Sequence, residues 1–309
     1  MSVPGAAPDT GSTESAFKVH AGTTTLAGTL LLPGQAAAGQ VPVVLIVAGS
    51  GPTDRNGDSP GGVRGEVYAQ VAGGLAEHGI ASLRYDKRGI GATPLGVNPS
   101  DLSIDLYAAD VRAAADSLRS DGRFSRVILL GHSEGAGLVL QAVNRGAPAN
   151  GIIMLAGAGR PILEVVHSQL AVQLDSAALL SYDSAMARFT RGEPSGIVPP
   201  ATVPLFMPYL RNFMRSWAAY DPAAELRRAM VPVLLVSAER DIQATAVEHA
   251  RLVSARPSAS VLLLPGASHV LKPVASTDRE TQIAVYADPT LSIVPQLVPG
   301  LVSWIRTLR

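Results

Sequence analysis

The chain has 309 residues, 47% hydrophobic and 16% charged, which is enough to bury a large core. Its 25 basic and 25 acidic residues cancel and are scattered, so no basic stripe points to nucleic acid and no acidic tail to a basic partner. With no cysteine, disulfide frameworks, thiol nucleophiles and cysteine-ligated zinc are excluded, and no apolar run reaches the roughly 20 residues of a membrane-spanning helix.

Residues 1–15 are rich in Gly, Ala, Pro, Ser and Thr and lack a basic segment followed by an apolar run. They read as a disordered leader rather than a signal peptide, which makes the cytoplasm the expected compartment; export is the alternative if a signal segment is removed ahead of Met1. Residues 18–20 and 26–32 read as two short strands around a turn at Ala21 and Gly22. Residues 41–48 form a continuous apolar, β-branched run, the pattern of a strand buried on both faces of a parallel sheet. A loop rich in Gly, Pro and Asp covers 49–65. A helix over 66–78 places Val67, Val71 and Leu75 on one face, and a strand over 80–85 follows. Ser103 is placed to cap a helix running to Leu118, with Ile104, Val111, Ala115 and Leu118 inward.

A strand over 127–130 runs into Gly131-His132-Ser133-Glu134-Gly135, and a helix over 136–144 follows. Further buried strands are expected at 151–155, 231–236 and 261–264, the last two separated by a helix over 244–253. A C-terminal helix over 291–306 should bend near Pro295 and Pro299. Strands alternating with helices predict an α/β fold with a mostly parallel sheet and helices on both faces. The alternation lapses between Arg160 and Asp221, a candidate helical lid. The expected organisation is a leader (1–15), a core (16–159), a helical cap insertion (160–221) and the rest of the core (222–309).

The glycines two residues before and after Ser133 suit a strand-to-helix turn tight enough to force the serine into a strained backbone. Such a turn lifts the hydroxyl above the sheet and sets the Glu134 N–H at a helix N-terminus. A serine hydroxyl needs a base. On a sheet of this kind the chain order is serine, acid, histidine. His167 falls in the insertion and His249 inside a helix; His269 follows the strand 261–264 and is the expected base. The strand 231–236 leads to Glu239 and Asp241. Asp241, at the turn into the next helix, is favoured to orient the imidazole, and a helix N-cap is its bland alternative role. The loop after residues 41–48 should offer a second N–H for negative charge, from Ser50, with Gly51 next. Leu205, Phe206, Tyr209, Leu210, Phe213, Met214 and Trp217 recur at helical spacing over 204–220. That stripe is either core or the pocket face of a lid. Candidate pocket residues are therefore Phe206, Tyr209, Phe213, Met214 and Trp217, with Gly49 and His132 beside the turn.

The set Gly49-Ser50-Gly51-Pro52-Thr53-Asp54-Arg55-Asn56, Leu83-Arg84-Tyr85-Asp86-Lys87-Arg88-Gly89 and Gly131-His132-Ser133-Glu134-Gly135 resembles bacterial α/β-hydrolases of the small-acyl carboxylesterase group. These stand beside the serine aminopeptidase-like hydrolases. Tyr220-Asp221-Pro222, Asp241-Ile242-Gln243 and Pro265-Gly266-Ala267-Ser268-His269 agree. The resemblance implies the α/β-hydrolase fold, the triad Ser133, Asp241 and His269, a helical cap and no cofactor. It also implies a small-molecule ester substrate with a short acyl chain. Ala48-Gly49 departs from the His-Gly that many hydrolases outside this group carry there. An aminopeptidase or other amide or thioester hydrolase of the same fold is the alternative, with Glu164, Asp175, Asp183 and Glu193 available in the cap for a free amino terminus. A ligand-binding member without catalysis is a third reading, to which loss of a triad residue would point. No metal ligand set is expected, and the oligomeric state has no signature. The loop from Asp54 to Asp58 is expected to line the entrance or to form an Asx turn.

Overall fold

The computed structural model describes residues 11–34 and 40–309. Eight strands make one sheet: β1 (Thr13–Ala21), β2 (Thr24–Leu32), β3 (Val41–Val47), β4 (Ala81–Tyr85), β5 (Phe124–His132), β6 (Gly151–Leu155), β7 (Val233–Ala238) and β8 (Ser260–Leu264). Their spatial order is β1-β2-β4-β3-β5-β6-β7-β8. The β1–β2 hairpin is antiparallel, as is β2 to β4; every neighbouring pair from β4 to β8 is parallel. Most of the leader expected over 1–15 lies outside the described residues, but Thr13–Ser15 belong to β1 and pair with Leu30–Leu32. Both hairpin strands outrun their apolar cores because backbone pairing continues past them.

The apolar run at 41–48 feeds two layers. Val43, Leu45 and Val47 pack with α2 (Ile104–Ser120) and α3 (Glu134–Asn144). Val44, Ile46 and Ala48 pack on the other face with α1 (Val67–Glu77) and α10 (Leu297–Thr307). Ser103 caps α2 as expected, its Oγ accepting the Leu106 N–H at 3.2 Å.

Between β6 and β7 lie only helices: α4 (Ile162–Leu170), α5 (Ser176–Arg191), α6 (Arg211–Ala218) and α7 (Pro222–Arg228), with 3₁₀ turns at Pro200–Phe206 and Pro208–Leu210. The single amphipathic helix expected over 204–220 is therefore a broken one. Pro204 and Pro208 lack the N–H a helix needs, and their rings clash with the preceding turn, so regular helix starts only at Arg211. After β7 come α8 (Ala246–Ala255) and, beyond β8, α9 (Arg279–Ala287), which no expectation covered. The last helix starts six residues later than expected, at Leu297, with Pro299 in its first turn where a missing N–H costs nothing. Among the described residues no helix is long and apolar enough to cross a membrane.

Candidate active site

β5 ends at His132 and α3 begins at Glu134, so Ser133 alone makes the turn, with φ 54 and ψ −118. This left-handed backbone is strained for a residue with a Cβ. Both flanking glycines are required sterically. A Cβ on Gly131 would lie 2.0 Å from the Gly135 carbonyl oxygen, and one on Gly135 would lie 2.3 Å from that of Val47. The Ser133 N–H donates to the Leu155 carbonyl at 2.9 Å, which ties the turn to the end of β6.

The loops after β7 and β8 bring the two other expected partners to this turn. His269 Nε2 stands 3.1 Å from Ser133 Oγ, and His269 Nδ1 stands 2.7 Å from Asp241 Oδ2. Both partners are buried. The other oxygen of Asp241 accepts the N–H groups of Gln243 and Ala244, at 2.7 and 2.9 Å. These bonds hold the carboxylate in one orientation. The cap of α8 is Thr245, so Asp241 closes the turn ahead of the helix instead of capping it. Glu239 is elsewhere: its carboxylate accepts the Gly266 N–H at 2.7 Å at an exposed position. His249 sits half-buried on α8, and His167 pairs with Asp183 at 2.9 Å.

Beneath the serine turn lies a run of buried hydrogen bonds. The Gly49 N–H donates to Tyr68 Oη at 3.1 Å, Tyr68 Oη lies 2.8 Å from His132 Nδ1, and His132 Nε2 lies 2.8 Å from the His269 carbonyl oxygen. Chemistry gives the run one direction. A carbonyl only accepts, so His132 carries its proton on Nε2 and, being neutral, accepts at Nδ1 from the Tyr68 hydroxyl. Burial, with the neighbouring His269, pushes the His132 pKa down to about 3. Burial likewise raises the Tyr68 phenol well above its usual range. His132 and Gly49, expected at the pocket, thus lie under it: a Cβ on Gly49 would meet Ser133 Cβ at 3.3 Å and His132 Nδ1 at 3.4 Å.

On the other side, Lys87 Nζ donates to the Gly49 carbonyl at 2.5 Å and to Glu134 Oε1 at 2.8 Å. The Lys87 and Glu134 side chains are each only 3% exposed. Arg88 is held by both oxygens of Asp110, at 2.7 and 2.6 Å. Sequence reasoning assigned Lys87 and Tyr68 no role. The available signal was a run of charges, Asp86-Lys87-Arg88, directly after a wholly buried strand, where each charge needs a partner.

Ser50, Ser133, Glu134 and His269 open into a cleft of about 990 Å³. Tyr209, Phe213, Met214 and Trp217 line it, and Leu205, Tyr107 and α4 side chains such as Ile162 join them. Tyr107, Phe213 and Trp217 make an edge-to-face row, with centroids 5.8 and 5.4 Å apart. Phe206 does not line the cleft. The 3₁₀ turn that replaces the expected helix directs it onto Tyr182 and Phe189, with centroids at 6.0 and 5.4 Å. The loop from Asp54 to Asp58 is an Asx turn and also lies off the cleft: Asp54 Oδ1 accepts the N–H groups of Asn56, Gly57 and Asp58. Among the described residues no group of three or more His, Cys, Asp or Glu is placed to hold a metal.

A mostly parallel eight-stranded sheet, opened by an antiparallel hairpin and carrying a strained serine on the turn after its fifth strand, is an α/β-hydrolase. Residues 62–272, about two thirds of the chain, match the family model described as serine aminopeptidase, S33, and the protein belongs to that family. Esterase EstD of Thermotoga maritima is 30% identical over 237 residues, covering 75% of this chain and 55% of that protein. The match thus spans little more than half of that relative's length. Two solved structures share the fold. Est1E of Butyrivibrio proteoclasticus, with ferulic acid bound, superposes with a TM-score of 0.60 at 16% identity, over 94% of this chain and 100% of its own. Proline iminopeptidase of Mycobacterium smegmatis superposes with a TM-score of 0.55 at 17% identity, over 83% and 92%.

Proposed function

We propose that this hydrolase is a serine carboxylesterase. Ser133 is its nucleophile, His269 its general base, Asp241 the residue that orients the base, and the segment 160–221 a cap over the cleft. The observation that carries the reading is the Ser133–His269–Asp241 hydrogen-bonded chain at 3.1 and 2.7 Å, set at the floor of an apolar cleft. Ser133 Oγ attacks the ester carbonyl as its proton passes to His269 Nε2. The tetrahedral oxyanion is held by the N–H groups of Ser50 and Glu134. The alcohol leaves with the proton from Nε2, and water, deprotonated by the same nitrogen, releases the acid from Ser133.

The family name raises the alternative of an aminopeptidase, and the cleft argues against it. A free α-ammonium group calls for an unpaired carboxylate. Among the described residues Glu134 is the only carboxylate lining the cleft, and Lys87 neutralises it at 2.8 Å. Asp175 is spent on the cap of α5, Glu193 pairs with Arg191 on the surface, and Glu164 and Asp183 face a separate depression. The cleft favours a neutral, apolar acyl group. Its size supports chains longer than the short acyl groups the resemblance implied.

The test is a panel of p-nitrophenyl esters from acetyl to octanoyl, run beside aminoacyl p-nitroanilides. Esters are expected to turn over faster by at least roughly a hundredfold, the order lost when a buried site meets a group it cannot pair. Faster nitroanilide turnover reverses the assignment.

A further inference from the structure

The carbonyl of Gly49 and the N–H of Ser50 belong to one peptide unit. That unit is planar and trans, so its C=O and N–H point in opposite directions. Whatever grips the Gly49 oxygen therefore sets the direction of the Ser50 N–H. Lys87 grips it, at 2.5 Å. The preceding peptide is held as well, because the Gly49 N–H donates to Tyr68. The Ser50 carbonyl accepts from Thr53 Oγ1 at 3.0 Å. The loop is thus gripped on both sides of the one amide that faces the reaction.

The same ammonium reaches the second donor. Glu134 supplies its backbone N–H from the start of α3, and its own carboxylate lies 2.8 Å from Lys87 Nζ. The ring of Tyr107 lies 5.5 Å from Lys87 Nζ, a cation–π contact. β3 and β5 are neighbours in the sheet, but a strand pairing leaves the loops beyond its last residue free to splay. Lys87, just past the end of β4, closes that gap: it joins the loop after β3 to the helix after β5.

We infer that Lys87 is the positioning residue of the oxyanion hole, aligning the N–H groups of Ser50 and Glu134 through the Gly49 carbonyl and the Glu134 carboxylate. The inference rests on the serine esterase reading above. It gives this buried ion pair a role that burial alone does not require. Apolar residues of similar shape in place of both members would fill the volume at no greater cost in stability, because desolvation of two charges offsets most of their attraction.

Lys87→Met tests it. The side chain keeps its length and loses its donors. A misaligned donor acts on the transition state and leaves the ground-state complex alone. For p-nitrophenyl butyrate, kcat is expected to fall by roughly 10- to 100-fold, less than or near the loss on deleting one oxyanion donor, with KM within about threefold. Affinity for a trifluoromethyl ketone, which forms a tetrahedral oxyanion on Ser133, should weaken by the same factor as kcat/KM. A residue that only supports the fold lowers the amount of active enzyme and does not weaken the ketone in parallel. Where Lys87→Met does not fold, the near-isosteric Glu134→Gln carries the test, with a smaller loss, about three- to tenfold, in both kcat and ketone affinity. If the folded variant keeps kcat and ketone affinity within twofold of wild type, Lys87 has no part in the oxyanion hole. Ser133→Ala in the same assays separates the two levels. Turnover that survives in Ser133→Ala overturns the esterase mechanism itself, whereas wild-type turnover confined to the Lys87 or Glu134 variant overturns only this inference.

Discussion

Asp241 and Glu239 are two residues apart, and an extended chain would point both the same way. The turn after β7 separates them. Asp241 Oδ2 meets His269 Nδ1, while Glu239 reaches across to the Gly266 N–H. Each can be replaced by its amide with a different expected result. In Asp241→Asn, Oδ1 keeps the bonds to Gln243 and Ala244, and the new amide group donates to His269 Nδ1. That forces the imidazole proton onto Nε2, which then cannot take one from Ser133. The turnover number should fall by about 10⁴. In Glu239→Gln the amide oxygen still accepts from Gly266, so the change should stay below about tenfold. Steady-state kinetics of both variants on one ester decides it, and a large loss confined to Glu239→Gln reverses the roles.

Turns and breaks between elements do most of the positioning. The strand–serine–helix turn has no room for a methyl group at Gly131, and the atom it would strike is backbone that cannot rotate away. Gly131→Ala should therefore destabilise the fold by about 3 kcal/mol or more, above the ordinary range for an added methylene. Urea unfolding gives the value directly, and a loss under about 1 kcal/mol would show that the turn can open. The break in the 204–220 segment has a different origin. Its apolar spacing is helical, but Pro204 and Pro208 override the spacing and divide the stripe between two surfaces. Phe206 packs on Tyr182 and Phe189 of α5, and Phe213 and Trp217 face the cleft. α9 has no apolar face turned to the core, and its Ile283 is exposed. Its buried residue is Gln282, whose amide donates to the Arg240 and Ser276 carbonyls and so steadies the backbone just before Asp241.

Across the whole molecule, the folded state holds His132 neutral where three loops meet. In the unfolded chain this histidine protonates near its ordinary pKa of 6.5; in the folded protein burial delays that to about pH 3. As pH falls below 6.5 the unfolded state binds the proton first, so stability drops until pH reaches about 3 and then levels off. The slope in that window is at most about 1.4 kcal/mol per pH unit from this one group. Between pH 6 and 4 wild type should lose stability more steeply than His132→Gln, which has no proton to gain. Denaturant unfolding of the two proteins across that range checks the sign. Equal slopes would mean that His132 is charged in the folded protein or neutral in both states.

What the sequence by itself determined is the part governed by local rules. Continuous apolar runs made β3, β5, β6 and β7 legible because a strand buried on both faces admits no polar alternate. The glycine at 131 is demanded by a steric clash within five residues, while the one at 135 answers to the Val47 carbonyl of the neighbouring strand. The chain order of Ser133, Asp241 and His269 followed from where strand ends must lie. Tertiary structure alone decided the rest: which of Glu239 and Asp241 meets His269, where Phe206 points, and what Lys87, Tyr68 and His132 hold. Each of these depends on contacts between residues far apart in the chain. Spacing carries no record of such contacts, because a buried charge or imidazole takes its role from the partner the fold brings to it.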